Sequence, residues 1–178
     1  MNDRFAYDEL VYDGKIAKAH SVGLRMPDGR IVQRDWIRYR AAAVVLPVLD
    51  DGSVVLIRNY RFAVDETLWE LPAGILEDDE APALCAAREL AEETGYTAGR
   101  IEKLGQFYPG PGTSDEVMHS YLAAELKAGR QNLEAYEEIT VQTFSMDDVR
   151  RMVADGTVHD GKTIATLALY WLRQHAEI

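Results

Sequence analysis

Apolar and polar positions divide the chain into blocks of different character. Residues 5–38 carry short strand-like runs: Phe5–Tyr12, Lys15–Arg25 and Ile31–Tyr39. Asp13-Gly14 and Asp28-Gly29 separate them, and Asp-Gly between such runs favours a hairpin. This opening section is short of large aliphatics, so it is expected to lean on another surface for its core. The composition changes at Ala41. Ala42–Leu49 and Val54–Ile57 are near-continuous apolar runs parted by Asp51-Gly52, the pattern of buried strands in a central sheet. Residues 80–94 predict a helix. Ile101–Tyr108 and Val117–Leu126 predict strands, and the alternating Ile139–Phe144 predicts a half-buried one. Met146–Ala154 and Thr163–His175 predict two closing helices. No internal repeat or low-complexity stretch interrupts this order. A β arm, a sheet, a helix, more sheet and closing helices predict an α+β or mixed α/β layer domain.

The stretch GILEDDEAPALCAARELAEETGY, Gly74 to Tyr96, carries the most chemistry. Asp78 and Asp79 suit a helix start, Pro82 suits a first turn and Gly95 suits the stop. At 100° per residue, Ala83, Leu84, Ala87, Leu90 and Ala91 fall on an arc of about 120°, the expected buried face. Glu89, Glu92 and Glu93 share another arc, with Arg88 placed i,i+4 from Glu92. Three carboxylates near a helix C-terminus oppose the helix dipole. Two charges about 5 Å apart repel by roughly 3 kcal/mol at an effective dielectric of about 20. A hard divalent cation with oxygen ligands removes that penalty, and Mg²⁺ is the usual choice beside phosphates. A solvated acidic face is the other reading of these residues taken alone.

Composition narrows the classes. The 178 residues include 30 Asp+Glu and 19 Lys+Arg, a formal net charge of −11. That surface repels phosphate backbones and argues against a general nucleic-acid binder. It leaves room for a small phosphorylated substrate, because a bound metal inverts the local charge. The single cysteine, Cys85, cannot form an internal disulfide, which fits a reducing compartment. No apolar run is long enough for a membrane span. Asp3, Asp8 and Glu9 stand where a signal peptide would need apolar residues. A cytoplasmic protein is expected.

The stretch resembles the Nudix box, G-x5-E-x7-R-E-U-x-E-E-x-G-U, where U is bulky and aliphatic. Gly74 is followed after five residues by Glu80, and after seven more by Arg88-Glu89-Leu90-Ala91-Glu92-Glu93-Thr94-Gly95-Tyr96. Every fixed position matches; only Tyr96 is aromatic where an aliphatic is usual. The resemblance implies a Nudix α/β/α sandwich whose box forms a loop–helix–loop. It implies that Glu89 and Glu93 bind metal, with Glu92 beside them and the Ala73 carbonyl as a further ligand. Arg88 would orient the glutamates. Glu80 falls about 180° from Glu89 on a helix and reads as a structural or capping residue.

The likeness covers nearly the whole chain. Arg58-Asn59-Tyr60-Arg61 and Trp69-Glu70-Leu71-Pro72-Ala73-Gly74 resemble a run of the ADP-ribose pyrophosphatase branch. Tyr108–Glu116, with Pro111, resembles that branch's loop after the box, Leu133–Val141 its acidic loop, and Asp160-Gly161-Lys162-Thr163 its helix start. Residues 1–38 resemble the β arm that these enzymes exchange across a homodimer, leaving residues 39–178 as the hydrolase domain. Ile75, Asp79 and Tyr39–Ala42 depart from the branch pattern, which bears on the exact substrate.

The implied reaction is hydrolysis of the diphosphate of ADP-ribose or a related nucleoside diphosphate sugar. Two or three Mg²⁺ ions, or Mn²⁺, would sit on the glutamates. Glu137 would activate the water, with Glu138 and Glu134 as alternatives. Arg61, Glu70 and Glu116 would bind substrate beside Pro111, and Trp36 would stack on the base. Other open readings are a Nudix hydrolase of GDP-mannose, a nucleoside triphosphate or a dinucleoside polyphosphate, and a non-catalytic nucleotide-sugar sensor.

Overall fold

The computed structural model describes residues 4–133, 135 and 137–176. The chain divides into two compact units, one of residues 1–41 with 108–117 and one of residues 42–107 with 118–178. The second segment of the first unit, Tyr108–Val117, was not part of the expected arm.

In the first unit, β1 (Phe5–Asp13), β2 (Ala17–Arg25) and β3 (Ile31–Tyr39) form an antiparallel sheet in that order. Gly29, at φ 85°, makes the second turn, a conformation that glycine adopts without steric cost. The loop 108–117 is stitched to β3. Ile37 N–H donates to the Thr113 carbonyl at 2.7 Å, and Tyr39 N–H donates to Asp115 Oδ1 at 2.9 Å. Leu10, Val11, Tyr12 and Ile16 remain exposed.

The second unit holds two sheets. The larger, in order β7-β4-β9-β8, combines β7 (Ala73–Ile75), β4 (Ala42–Pro47), β9 (Met118–Ala128) and β8 (Tyr96–Phe107). Its β4–β9 pair is parallel and its other pairs antiparallel. The smaller antiparallel sheet has the order β10 (Ile139–Phe144), β5 (Val54–Arg61), β6 (Glu66–Glu70). Strand alternation splits the core in two. Ala43 and Val45 face α1 (Pro82–Thr94), packing with Cys85, Ala86 and Leu90. Ala42, Val44 and Leu46 face the other way, toward Leu56, Val149 of α2 (Met146–Ala154) and Leu167 of α3 (Gly161–Ala176). Helices on both sides of sheet give the expected α+β sandwich. Among the described residues, no helix is long and apolar enough to cross a membrane.

The boundaries of β3, β10 and α2 follow the hydrophobic pattern. Strands β6 and β7 were not foreseen, because Glu66–Glu70 and Ala73–Ile75 lack a clear alternation. Helix α1 starts at Pro82 with Ala81 as N-cap and no side-chain cap; Asp79 instead takes φ 61° in the loop before it.

The orientation of α1 also differs from expectation. Its buried residues are Cys85, Ala86, Leu90, Glu93 and Thr94, while Leu84 is 64% exposed. The buried face is turned by about 120° from the arc of aliphatics. Small side chains at 85 and 86 let the helix lie close on β4, and this draws the glutamate face inward.

Candidate active site

The turn of α1 brings Glu89 and Glu93 against β7, which carries Gly74. A Cβ on Gly74 would lie 1.9 Å from Glu89 Oε1, so only glycine admits that carboxylate. Ala73 N–H donates to Glu93 Oε2 at 2.8 Å. Gly95, at φ 77°, closes the helix with its N–H on the Ala91 carbonyl.

Arg88 gathers the acids around it. Its Nε and Nη2 donate to the two oxygens of Glu80, both at 2.9 Å, in a fork–fork pair. Its Nη1 donates to Glu89 Oε1 at 2.6 Å and to Glu92 Oε2 at 3.1 Å. Glu80 precedes the helix instead of lying on it, and its Oε2 also accepts the Glu77 N–H. It is a structural anchor, as read, reached by a different geometry. The Arg88 fork holds the Glu80 carboxyl down to about 2, and the acids raise the Arg88 guanidinium further above its ordinary value.

The inner carboxylates behave oppositely. Glu93 is 3% exposed. Burial, reinforced by the charges of Glu89 and Glu137, pushes its carboxyl up to about 8, against the pull of the Ala73 N–H. Burial likewise raises Glu89, against the opposing pull of Arg88. Glu89 shares Arg88 with two other acids, and among the described residues no cation is hydrogen-bonded to Glu93.

Among the described residues, no three acidic, histidine or cysteine side chains meet as a ready metal site. One oxygen each of Glu89 and Glu92 is turned to Arg88, and one of Glu93 to the Ala73 N–H. The second oxygen of each has no hydrogen-bond partner among the described residues. Hard oxygen donors, a glycine cradle and uncompensated negative charge fit a hard divalent cation.

A cavity of about 640 Å³ in the same unit is lined by Arg61, Glu137, Glu138, Asn59, Tyr60 and neighbouring Phe62 and Ala63. The structure thus joins Arg61 with both candidate bases, at the end of β5 and the start of β10. Glu134 lies outside the described residues. Glu70, expected to meet substrate, is instead fully buried. Its oxygens accept Arg61 Nε and Nη2 at 2.8 and 2.6 Å, and Lys162 Nζ also donates to it. The Lys162 contact was not foreseen. Asp160–Thr163 was recognisable as a helix start, but nothing in the sequence tied it to Glu70.

Trp36, Pro111 and Glu116 belong to the first unit. Trp36 packs against His20 and Phe5, with ring centroids 4.9 and 6.4 Å apart. Trp36 and Pro111 line a second cavity of about 310 Å³. Glu116 is half-buried nearby in sequence. Cys85 is buried, and burial pushes its thiol up to about 12. It packs; it is not a nucleophile.

Comparison with known proteins agrees with this geometry. Residues 38–167 match the model of the NUDIX domain. The chain is 33% identical over 98% of its length to an ADP-ribose pyrophosphatase of Bacillus subtilis, covering 95% of that protein. It is 35% identical to a GDP-mannose pyrophosphatase of Cronobacter sakazakii, over 84% of each chain. A crystal structure of an ADP compounds hydrolase shares the fold, with a TM-score of 0.83 at 22% identity over 98% of this chain and 96% of the other. The complete box, the inward-facing carboxylates and the family match together make this chain a Nudix hydrolase, of a family that generally works with divalent metal ions.

Proposed function

We propose that the chain hydrolyses the diphosphate bond of ADP-ribose or a closely related nucleoside diphosphate sugar, with Mg²⁺ as its metal. The observation that carries this reading is the placing of Arg61 and Glu137 on one cavity in the unit whose helix turns Glu89 and Glu93 inward. About 640 Å³ is within the range of small-molecule sites. The full-length similarity to an ADP-ribose pyrophosphatase supports the substrate class.

Glu89, Glu93 and Glu92, with the Ala73 carbonyl, would hold two or three ions. When bound, such ions neutralise phosphate charge and lower the pKa of a bound water. Arg61 presents a planar guanidinium to the diphosphate oxygens. Glu137 takes a proton from the attacking water or orients it, as a general base. The water oxygen bonds to one phosphorus, the bridging P–O bond breaks, and the bridging oxygen leaves with the other phosphate. ADP-ribose would give AMP and ribose 5-phosphate. Arg88 holds Glu89 and Glu92 in place. In the first unit, Trp36 would stack on the base, with Glu116 and Pro111 contributing to substrate binding. The arm would pair with a second copy of the chain, consistent with the exposed apolar residues of β1. The same reading sets the enzyme in the cytoplasm.

Similarity to a GDP-mannose pyrophosphatase supports a second reading, with GDP-mannose as substrate. A panel of ADP-ribose, GDP-mannose, UDP-glucose, a diadenosine polyphosphate and a deoxynucleoside triphosphate, assayed with Mg²⁺ and with EDTA, decides between them. Preferential, EDTA-sensitive conversion of ADP-ribose to AMP is the expected result. Preference for GDP-mannose moves the specificity and keeps the chemistry. No turnover on any member, with ligand still bound, means a sensor. Light scattering tests the dimer, and a monomer at micromolar concentration would refute it.

A further inference from the structure

The side chains behind Arg61 form a chain of contacts that the reaction itself does not use. Arg61 places Nε and Nη2 on the two oxygens of Glu70. Lys162 Nζ donates to the same carboxylate and pairs with Asp160 Oδ1 at 3.0 Å. Asp160 Oδ2 in turn accepts the Thr163 N–H at 3.0 Å and the Thr163 hydroxyl at 2.6 Å. Thr163 Oγ1 accepts the Leu71 N–H at 2.8 Å. The first turn of α3 is therefore fastened to the end of β6 at two adjacent residues, Glu70 and Leu71.

Arg61 and Glu70 would already balance as a pair. Lys162 and Asp160 add one charge of each sign, so they leave the net charge unchanged and alter the geometry. A guanidinium fork needs its carboxylate held in one plane. Lys162 grips Glu70 Oε2 from the α3 side while Arg61 takes both oxygens from the cavity side. Lys162 is only 15% exposed and does not line the cavity. With Nε and Nη2 engaged, Arg61 Nη1 is the nitrogen without a hydrogen-bond partner among the described residues. Arg61 thus meets the cavity with its fork already committed and one nitrogen available.

We propose that Lys162, backed by Asp160, is a positioning residue that presets Arg61 for the substrate diphosphate through the buried carboxylate of Glu70. This rests on the reading that Arg61 binds the diphosphate of a nucleotide sugar. Lys162 does not touch substrate; it acts through the orientation of one guanidinium.

A double-mutant cycle with ADP-ribose as the probe tests the proposal. Lys162→Met in the otherwise native enzyme is expected to lower kcat/KM by about tenfold, mostly through KM. Lys162→Arg, which can still reach Glu70, restores most of the loss. In an Arg61→Ala background the same Lys162→Met change costs less than about twofold, since its route of action is gone. Additive losses would mean that Lys162 acts on substrate or on the fold independently of Arg61, and would overturn the proposal. So would unchanged kinetics in Lys162→Met. If Lys162→Met fails to fold, Lys162→Gln takes its place in the cycle and is judged by the same criterion. Absence of turnover by the native enzyme on any nucleoside diphosphate sugar is a different result: it refutes the functional reading, and the positioning role with it.

Discussion

Two charge clusters in the same unit obey opposite rules. Around Glu70, two acids face two cations: Glu70 and Asp160 against Arg61 and Lys162. Around α1, Glu80, Glu89 and Glu92 share the single cation Arg88, and Glu93 is buried with only a backbone N–H on one oxygen. The first cluster is closed. Its charges cancel, and its task is to hold shape. The second has a deficit of positive charge that the chain leaves to be met from outside. Burial costs both clusters desolvation, but only in the second does the cost signal a missing partner. A cluster of acids is therefore better judged by its balance than by its size.

Substitutions at the glutamates test that contrast. The largest effect belongs to Glu93→Gln, which removes a proposed metal ligand while keeping the shape. It should lower kcat by about a thousandfold, the equivalent of several kcal/mol of transition-state stabilisation, measured as Mg²⁺-dependent release of AMP. Activity within tenfold of the native enzyme would break the assignment.

Glu137→Gln removes the proposed general base and should cost about a hundredfold or more in kcat. Glu138→Gln, on the same cavity, should stay within about threefold in the same assay. The reverse ranking would transfer the role to Glu138.

Stability should separate the clusters by sign. Glu70→Gln leaves Arg61 and Lys162 with Asp160 as the one remaining acid of the cluster and should cost about 3 kcal/mol in denaturant unfolding. Glu93→Gln relieves repulsion and should leave the metal-free protein as stable as the native one, or more stable by about 1 kcal/mol. Equal losses at both sites would erase the distinction drawn above.

The smallest effect is a pH dependence. The Glu80 carboxyl lies at about 2 in the folded chain, against an ordinary 4.5. A depressed carboxyl stabilises the fold above its unfolded value, and that contribution fades as pH falls through the folded value. Glu80→Gln should therefore cost about 1 to 2 kcal/mol at pH 7, allowing for solvent screening. The difference from the native protein should shrink from pH 4.5 downward and nearly vanish by about pH 2. A pH-independent difference would assign the loss to packing.

Much of this molecule was legible in its sequence, though unevenly. Alternation of apolar and polar residues located β10, and the Asp28-Gly29 turn signal located β3. The box residues were recognisable from spacing alone. The face by which α1 docks was not. Leu84 and the alanines outweigh Cys85 and Ala86 in apolar surface, but the small pair lets the helix approach the sheet closely. The sequence also hid the full burial of Glu70, a residue expected to meet substrate. Its partners stand 9 and 92 residues away, and a contact across 92 residues leaves no local pattern. What escaped the sequence is thus the burial of charge, which depends on partners supplied by distant elements.

The inert thiol of Cys85 has a practical consequence. It is the chain's only cysteine, it is buried, and its thiolate forms only under strongly alkaline conditions. Maleimide reagents should leave the native protein unmarked. A cysteine introduced at Phe62, which is 86% exposed at the cavity wall, would then be the one labelling site. A dye placed there could report ligand arrival directly, without product formation and without first removing a competing native thiol.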